Sequence, residues 1–167
     1  MKHLTLLLAS FFFCIGIFAQ DAAELVSQGQ KQLEMGQNDE ALNLYNKAIQ
    51  TDPEYLDAYL KRAFVYSIQE KHQLAIQDYD KIIELNPKNS YMYVSRGSAY
   101  NKLKQYQKAI EDFNKAIEID ENNTQAYNNR GWAKKALGDK EGACDDWKKS
   151  KKMGNEEAKI ILKNNQC

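Results

Sequence analysis

Three kinds of side chain in this sequence could carry chemistry: cysteines, histidines, and a recurring set of arginines and aspartates. The cysteines are Cys14, Cys144 and Cys167, and the histidines are His3 and His72. Cysteines can form disulfides or act as nucleophiles, and histidine can serve as a base or a metal ligand. The sequence contains no HExxH, CxxC, GxSxG or phosphate-binding glycine loop that would organise such chemistry. We therefore predict a protein that is not an enzyme and that uses no cofactor and no metal.

The arginines and the aspartates each recur every 34 residues along the chain, and this interval is the period of the sequence. Each arginine precedes an aspartate by the same distance in sequence, which gives the pairs Arg62 with Asp78, Arg96 with Asp112, and Arg130 with Asp146. One period earlier both partners are missing, and Gln28 and Leu44 stand in their places. The arginine and the aspartate are present together in three units and absent together in the first. This pattern predicts an ion pair within each of the three units. Because a carboxylate set with the repeat period is typical of a scaffold, we do not interpret it as an active site.

Small and aromatic residues follow the same period. The small positions are Gly29, Ala63, Gly97 and Gly131, then Ala41, Ala75, Ala109 and Ala143, and the aromatic positions are Tyr45, Tyr79, Phe113 and Trp147. Self-similarity at a fixed period indicates units that bury their apolar faces only by stacking on each other. Pro53 and Pro87 also stand one period apart, where proline ends a helix. We expect the small residues to let paired helices approach and the aromatic residues to fill the space between neighbouring hairpins.

These patterns predict an all-α fold, an α-solenoid of four helical hairpins at 22–55, 56–89, 90–123 and 124–157. The composition agrees, because the chain has only two prolines and eight glycines. After the last hairpin, Gly154 can end a helix and Asn155 can cap the next one. Ala158, Ile161 and Leu162 then form an apolar stripe, so we predict a short capping helix at 155–165.

In their order, register and period these residues resemble the tetratricopeptide repeat (TPR) family, over essentially the whole chain after the N-terminal segment. The chain looks like an exported bacterial TPR protein. Its departures from the family pattern fall in the end repeats: Gln32 and Lys134 replace an aromatic residue, and Ser150 and Asn155 replace a small apolar residue and the proline. Such departures are expected, because terminal repeats are commonly atypical.

Residues 1–19 have the composition of a signal peptide. Lys2 is followed by an apolar run from Leu4 to Ala19 that is short for a membrane span. We predict cleavage after Ala19 and an exported protein, periplasmic or secreted, with no membrane span after cleavage. Retention of the segment as an anchor is the alternative. Lipid modification of Cys14 is disfavoured, because Phe13 precedes it where a small residue is expected.

The charge of the chain is balanced, with 23 basic and 23 acidic residues. This balance argues against nucleic acid or an anionic membrane as the partner. The length suits a single domain. His3 belongs to the predicted signal peptide, and we interpret His72 as a solvated turn residue. No feature points to a small-molecule substrate.

Removal of the signal peptide would leave two cysteines, Cys144 and Cys167. An even number in an oxidising compartment favours a disulfide. Cys144 replaces an apolar residue that faces the next element; the corresponding residues are Leu42, Ile76 and Ile110. An antiparallel capping helix, with the usual rise of an α-helix, would return to the level of Cys144 near residue 164. We predict a Cys144–Cys167 disulfide, and a buried free thiol beside a frayed terminal one is the alternative.

The resemblance implies a protein or peptide partner, bound on a concave face lined by the first helix of each hairpin. The residues carried over to that face are Leu60, Phe64, Tyr91, Val94, Ser98, Asn101, Gln125, Asn128 and Trp132, with Val26, Gln30, Leu33, Asp57, Ile68, Lys102 and Lys135 around them. Phe64, Tyr91 and Trp132 would act as aromatic anchors among amides. Chaperone-binding TPRs hold two carboxylates with a set of lysine, asparagine and arginine residues. The first helices of this chain do not have that set at the matching positions. A chaperone C-terminal tail is therefore not expected as the ligand.

Two functions from different classes follow from the sequence. The first is an exported scaffold that binds a segment or helix of an extracytoplasmic protein in its concave groove. The second is a structural subunit of an envelope assembly, which docks through its convex face or its ends.

Overall fold

The computed structural model describes residues 22–167, so the predicted signal peptide at 1–19 lies outside the described residues. The described chain is helical and contains no strand. The helices are α1 (22–34), α2 (Asn38–Thr51), α3 (Leu56–Ile68), α4 (His72–Leu85), α5 (Ser90–Lys102), α6 (Tyr106–Ile119), α7 (Thr124–Ala136), α8 (Lys140–Lys152) and α9 (Glu156–Asn164). This confirms the all-α prediction of TPR-like hairpins with a short helix after them. Two compact units divide the chain, one ending at Gln69 and the other running from Glu70 to Cys167.

In the first unit, α1, α2 and α3 share one core. Its fully buried members include Ala41, Tyr45 and Val65, and the Tyr45 ring lies directly against Gly29 of α1. A Cβ atom at Gly29 would stand 2.5 Å from Tyr45 Cε1, which is closer than two carbon atoms can approach. The absence of a side chain at Gly29 therefore lets the aromatic ring of the second helix pack against the first.

In the second unit each helix packs on the next one along the chain, from α4 to α9. The ring of Phe113 lies against Gly97, and the indole of Trp147 lies against Gly131. A Cβ atom at these glycines would stand 2.7 Å from Phe113 Cε1 and 2.5 Å from Trp147 Nε1. We expected these aromatic residues to fill the space between neighbouring hairpins. They pack against the small residue of their own hairpin, as Tyr45 does, and Phe113 also shares a core with Ala126 and Ala133 of the next hairpin.

The recurring arginines make more contacts than the sequence predicted. Arg96 donates from Nε and Nη2 to the two carboxylate oxygens of Asp112, at 2.9 and 2.6 Å, and thereby joins α5 to α6. Its remaining nitrogen, Nη1, donates to Asp80 Oδ1 of α4 at 2.6 Å. Arg130 repeats this geometry, with Asp146 at 2.9 and 2.5 Å and Asn114 at 2.6 Å. Each guanidinium thus ties together the second helices of two successive repeats.

In the first unit, Arg62 donates to Asn46 at 2.6 Å. The second partners therefore form a periodic set of their own, Asn46, Asp80 and Asn114, each at the same distance in sequence before its arginine. This period is visible in the sequence, but the prediction covered only the aspartate that follows each arginine. Arg62 and Asp78 belong to different units, and their pairing stays a prediction.

Burial and the ion pair with Arg96 shift the pKa of Asp112 in opposite directions. Burial raises the pKa of its carboxyl above the ordinary value, while the hydrogen bonds from Arg96 lower that pKa. In turn, the hydrogen bond to Asp112 raises the pKa of Arg96. Because the folded-state pKa of Asp112 is raised, its contribution to stability is fully present below its unfolded pKa. That contribution is lost as the pH rises through the folded-state value.

Replacing Arg96→Gln leaves the buried Asp112 carboxylate without its cation and should lower the free energy of unfolding by about 3 kcal/mol at pH 7. Adding Asp112→Leu gives the pair of residues that the first repeat has at these positions, Gln28 and Leu44. The double variant should recover more than half of the loss, because no buried charge is then unpaired. Urea unfolding of both single variants and the double variant measures this.

The pH dependence provides an independent check on the same pair. Without Arg96, the pKa of Asp112 rises further, so protonation neutralises the unpaired charge as the pH falls through that value. The stability lost in the Arg96→Gln variant should therefore shrink between pH 7 and pH 4. A loss that is constant over this range would contradict the assignment.

The turn after the first helix of each hairpin needs a left-handed residue. Gly36, Glu70, Lys104 and Gly138, one period apart, all have positive φ, of 75, 57, 59 and 92°. At Lys104 the backbone N–H donates to the carbonyl of Asn101, and the next N–H donates to Tyr100, so the last helical carbonyls are satisfied. Two repeats place glycine here, and two place a residue for which this conformation is unfavourable.

Replacing Lys104→Gly should raise the free energy of unfolding by roughly 0.5–1 kcal/mol, because glycine adopts positive φ without steric cost. Gly138→Ala, the matched change in the opposite direction, should lower it by about 1 kcal/mol. Urea unfolding compares the two variants. Equal effects of the same sign would show that backbone conformation is not the cause.

The chain ends in the helix that the sequence predicted. Gly154 has φ of 95° after α8, and the side chain of Asn155 accepts a hydrogen bond from Ala158 N at 3.2 Å. Ala158 and Ile161 of α9 are buried, and Ile161 packs with Trp147 and Ala143 of α8. A disulfide joins Cys144 to Cys167 with the Cα atoms 5.6 Å apart, so the residues after α9 are held against α8.

Cells treated with an alkylating reagent before lysis should yield protein with no alkylated cysteine at 144 or 167, as mass spectrometry can determine. Reduction should then lower the free energy of unfolding by about 3 kcal/mol, since the bridge closes a loop of intermediate length. The variant Cys144→Ser/Cys167→Ser is the matched control, because reduction should leave its stability unchanged. Recovery of two alkylated cysteines would show that the bond does not form in the cell.

Candidate interaction surface

On the first unit, α3 exposes a stripe of large apolar side chains. Leu60, Phe64 and Ile68 lie four residues apart and are 39, 52 and 51% exposed. Residues at this spacing share one face of a helix. Such a stripe on a soluble protein marks a surface that a partner can cover.

A pocket of about 390 Å³ lies beside this stripe, between α1 and α3. Its lining residues are Ala23, Val26, Ser27, Gln30, Lys31, Glu34, Tyr55, Asp57 and Lys61. The lining combines small and apolar groups with charges of both signs, and Gln30 donates to Glu34 at 3.1 Å. Val26, which we expected on the accessible face, is 4% exposed and belongs mainly to the core.

On the second unit, two aromatic side chains stand out from the first helices of their hairpins. Tyr91 of α5 is 63% exposed, and Trp132 of α7 is 40% exposed. The Trp132 ring meets the edge of Trp147 with centroids 5.1 Å apart, and Lys135 Nζ lies 5.2 Å from the Trp132 centroid. Trp132 therefore contacts both a buried indole and a lysine, and part of its side chain remains exposed.

Amide and hydroxyl groups link α5 to α7 between these aromatic residues. Asn101 Nδ2 donates to the Asn129 carbonyl at 3.4 Å, and Asn129 Nδ2 donates to Ser98 Oγ at 3.2 Å. Ser98 in turn donates to the Val94 carbonyl at 2.8 Å. These groups fix the spacing of the two helices. Gln125, the remaining predicted polar residue, is exposed.

Two residues that we predicted on the binding surface, Val94 and Asn128, are buried in the structure. Val94 is 3% exposed and packs in the core with Ala126 and Ala133 of α7. Asn128 is 4% exposed; its Nδ2 donates to Glu157 Oε2 of α9 at 3.3 Å, and its carbonyl accepts from Trp147 Nε1 at 3.1 Å. The two residues stand one period apart. Val94 faces α7 and the Asn128 side chain faces α9, so neither lies on the accessible surface.

Each unit exposes side chains of the kind found in protein interfaces. Apolar and aromatic side chains project into solvent beside amides, a composition found at the centre of protein interfaces. Within residues 22–167, no three His, Cys, Asp or Glu side chains come together as a metal site. No helix in that part of the chain is both long enough and apolar enough to cross a membrane.

Comparison with known families places the chain in a class. A tetratricopeptide repeat model matches residues 56–89 and 90–123, a TPR repeat model matches 29–69, and a further tetratricopeptide repeat model matches 113–145. Together these matches run from residue 29 to residue 145. The chain belongs to the TPR family, whose members are in general non-enzymatic scaffolds for protein interaction.

Solved structures show the same fold. A crystal structure of MamA has a TM-score of 0.75 at 24% identity, over 83% of this chain and 81% of that one. MamA from Desulfovibrio magneticus RS-1, from residue 41 to its end, has a TM-score of 0.74 at 20% identity, over 80 and 75%. At these identities the likeness concerns the fold alone.

A third structure is a complex. The first TPR of Spaghetti (RPAP3), bound to the HSP90 peptide SRMEEVD, has a TM-score of 0.67 at 29% identity, over 72% of this chain and 95% of that one. None of the curated proteins searched matches the sequence.

Proposed function

We propose that this chain is an exported scaffold that binds an extended segment or a helix of an extracytoplasmic protein through the first helices of its hairpins. The observation that carries the proposal is the exposed apolar stripe of α3, formed by Leu60, Phe64 and Ile68. Burying such side chains against a partner is favourable, at about 25 cal/mol per Å² of apolar surface. On the second unit, Tyr91 and Trp132 offer the corresponding anchors.

The chemistry of the surface favours an apolar or aromatic segment as the partner. The TPR of RPAP3 carries a peptide rich in acidic residues, whereas this chain has no cation set at the corresponding places on its first helices. Leu60 and Phe64 occupy one pair of those places, and Tyr91 and Ser95 occupy another. A segment with spaced apolar side chains fits this surface better than an acidic chain terminus.

Two features support export. Residues 1–19 have the composition of a signal peptide, with Lys2 ahead of an apolar run. The Cys144–Cys167 disulfide also suits an oxidising compartment, because cytosolic proteins are kept reduced. On this basis the partner belongs to the periplasm or to the cell exterior.

Substitution of the anchors tests the proposal. Phe64→Ala, Tyr91→Ala and Trp132→Ala, each in the otherwise intact protein, should reduce the partner recovered after crosslinking in the cell envelope by about tenfold. Ile160→Ala is the matched control, since Ile160 of α9 is 62% exposed and lies outside this surface. Quantitative mass spectrometry of the captured proteins measures the effect.

Circular dichroism of each variant verifies that the helices are intact. If every partner is retained by all three folded variants, the first helices do not form the binding surface. The partner would then dock on the convex face or the ends, as expected of a structural subunit.

A further inference from the structure

A second pocket lies at the other end of the chain, within the second unit. It has a volume of about 230 Å³ and lies where α7, α8 and the residues after α9 meet. Its lining residues are Lys135, Lys140, Ala143, Cys144, Trp147 and Asn165. The disulfide helps to form it, because Cys144 lines the pocket and its bond to Cys167 holds the segment that carries Asn165.

This pocket is not part of the periodic scaffold. At the positions of Lys135 and Lys140, the three earlier repeats have Asn101 and Tyr106, Ser67 and His72, and Leu33 and Asn38. Among the four repeats, two cations at these positions therefore occur only in the fourth, which is followed by α9. A feature that departs from the period at several positions together is not explained by the stacking of repeats.

The cations of the pocket have no anion beside them. Within the described residues, neither Lys135 nor Lys140 has a carboxylate within ion-pair distance. Lys135 Nζ instead donates to Asn165 Oδ1, and it lies over the Trp132 ring.

Two carboxylates of α8 have cationic partners of their own. Asp146 is paired with Arg130 at 2.5 Å and with Lys134 at 2.9 Å, and Asp145 lies 3.6 Å from Lys148. Asp139 accepts a hydrogen bond from the backbone N–H of Gly142 at 2.8 Å. The residues that line the pocket therefore include two lysines and no aspartate or glutamate.

We propose that this pocket binds a single carboxylate group of a partner protein, either an acidic side chain or a chain terminus. The ammonium groups of Lys135 and Lys140 would donate charge-assisted hydrogen bonds to the two carboxylate oxygens. The Asn165 amide would orient the group, and Ala143 with the Trp147 ring would contact the carbon atoms next to it. The volume suits one amino-acid residue rather than a longer segment.

The pocket is a separate site from the apolar stripe of α3, and it does not depend on the proposed groove binding. The two proposals can also fail separately, because small probes test the pocket and whole partners test the groove.

Nuclear magnetic resonance with three small probes tests the pocket. N-acetylalanine presents a terminal carboxylate, N-acetylglutamic acid α-amide presents a side-chain carboxylate, and N-acetylalanine amide presents none. The chain has only two tryptophans, so its ¹H–¹⁵N spectrum shows two indole signals, and Trp147 lines the pocket. At least one carboxylate probe should shift the Trp147 indole signal in a saturable way, and the neutral amide should not.

Variants that remove the positive charges identify which lysines bind the carboxylate. Lys135→Gln/Lys140→Gln should weaken binding of the carboxylate probe by about tenfold or more, because two charge-assisted contacts are lost. Lys149→Gln/Lys151→Gln removes the same charge from exposed positions of α8 and should change the affinity by less than about twofold. Circular dichroism establishes that both variants remain folded.

The responses to the three probes show which kind of carboxylate binds in the pocket. A response to N-acetylalanine alone identifies a chain terminus as the ligand, and a response to the glutamic acid derivative alone identifies a side chain. The proposal is overturned if neither carboxylate saturates the signal or if the neutral amide shifts it equally. It is also overturned if both lysine pairs weaken binding to the same degree.

Discussion

In the first, third and fourth repeats, the contact between an aromatic ring on the second helix and a glycine on the first helix holds the hairpin together. Tyr45 on Gly29, Phe113 on Gly97 and Trp147 on Gly131 each place a large ring where even one methyl group would collide. The hairpin can close to this distance only because the first helix has no side chain there. The buried ring then supplies a large share of the apolar area that each small unit can bury.

Polar contacts fix the alignment of successive hairpins. Arg96 and Arg130 each bind a buried carboxylate of their own hairpin and a second acceptor on the previous one, so their guanidinium groups set how successive hairpins are aligned. Such buried ion pairs contribute less to net stability than to the choice of one arrangement, because desolvation offsets much of the attraction. In the first repeat, Gln28 and Leu44 replace the pair, and Leu44 is simply buried.

The last repeat shows how departures from a period create local features. Its Ser150 is fully buried and donates to the Thr124 carbonyl at 2.9 Å, a contact that the apolar residues at this position of the other repeats, Ala48, Ile82 and Ala116, could not make. Cys144 replaces an aliphatic residue and ties down the chain end, while Lys135 and Lys140 bring two positive charges to the same place. Cys144 and Lys135 contact the residues after α9.

The sequence by itself determined the number and approximate limits of the helices, the ends marked by Gly154 and Asn155, and the spacing of the Arg–Asp pairs from Arg96 onward. These features depend on local geometry and on a constant repeat period, and both can be read from one chain. Tertiary structure alone decided which side of each first helix remains accessible. Val94 and Asn128 are buried although Tyr91 and Trp132, only a few positions away, are exposed, because a small rotation about the helix axis turns a side chain from solvent toward the next helix. It also decided that the arginines have second partners and that the cap encloses a pocket, since both need residues from three elements to meet.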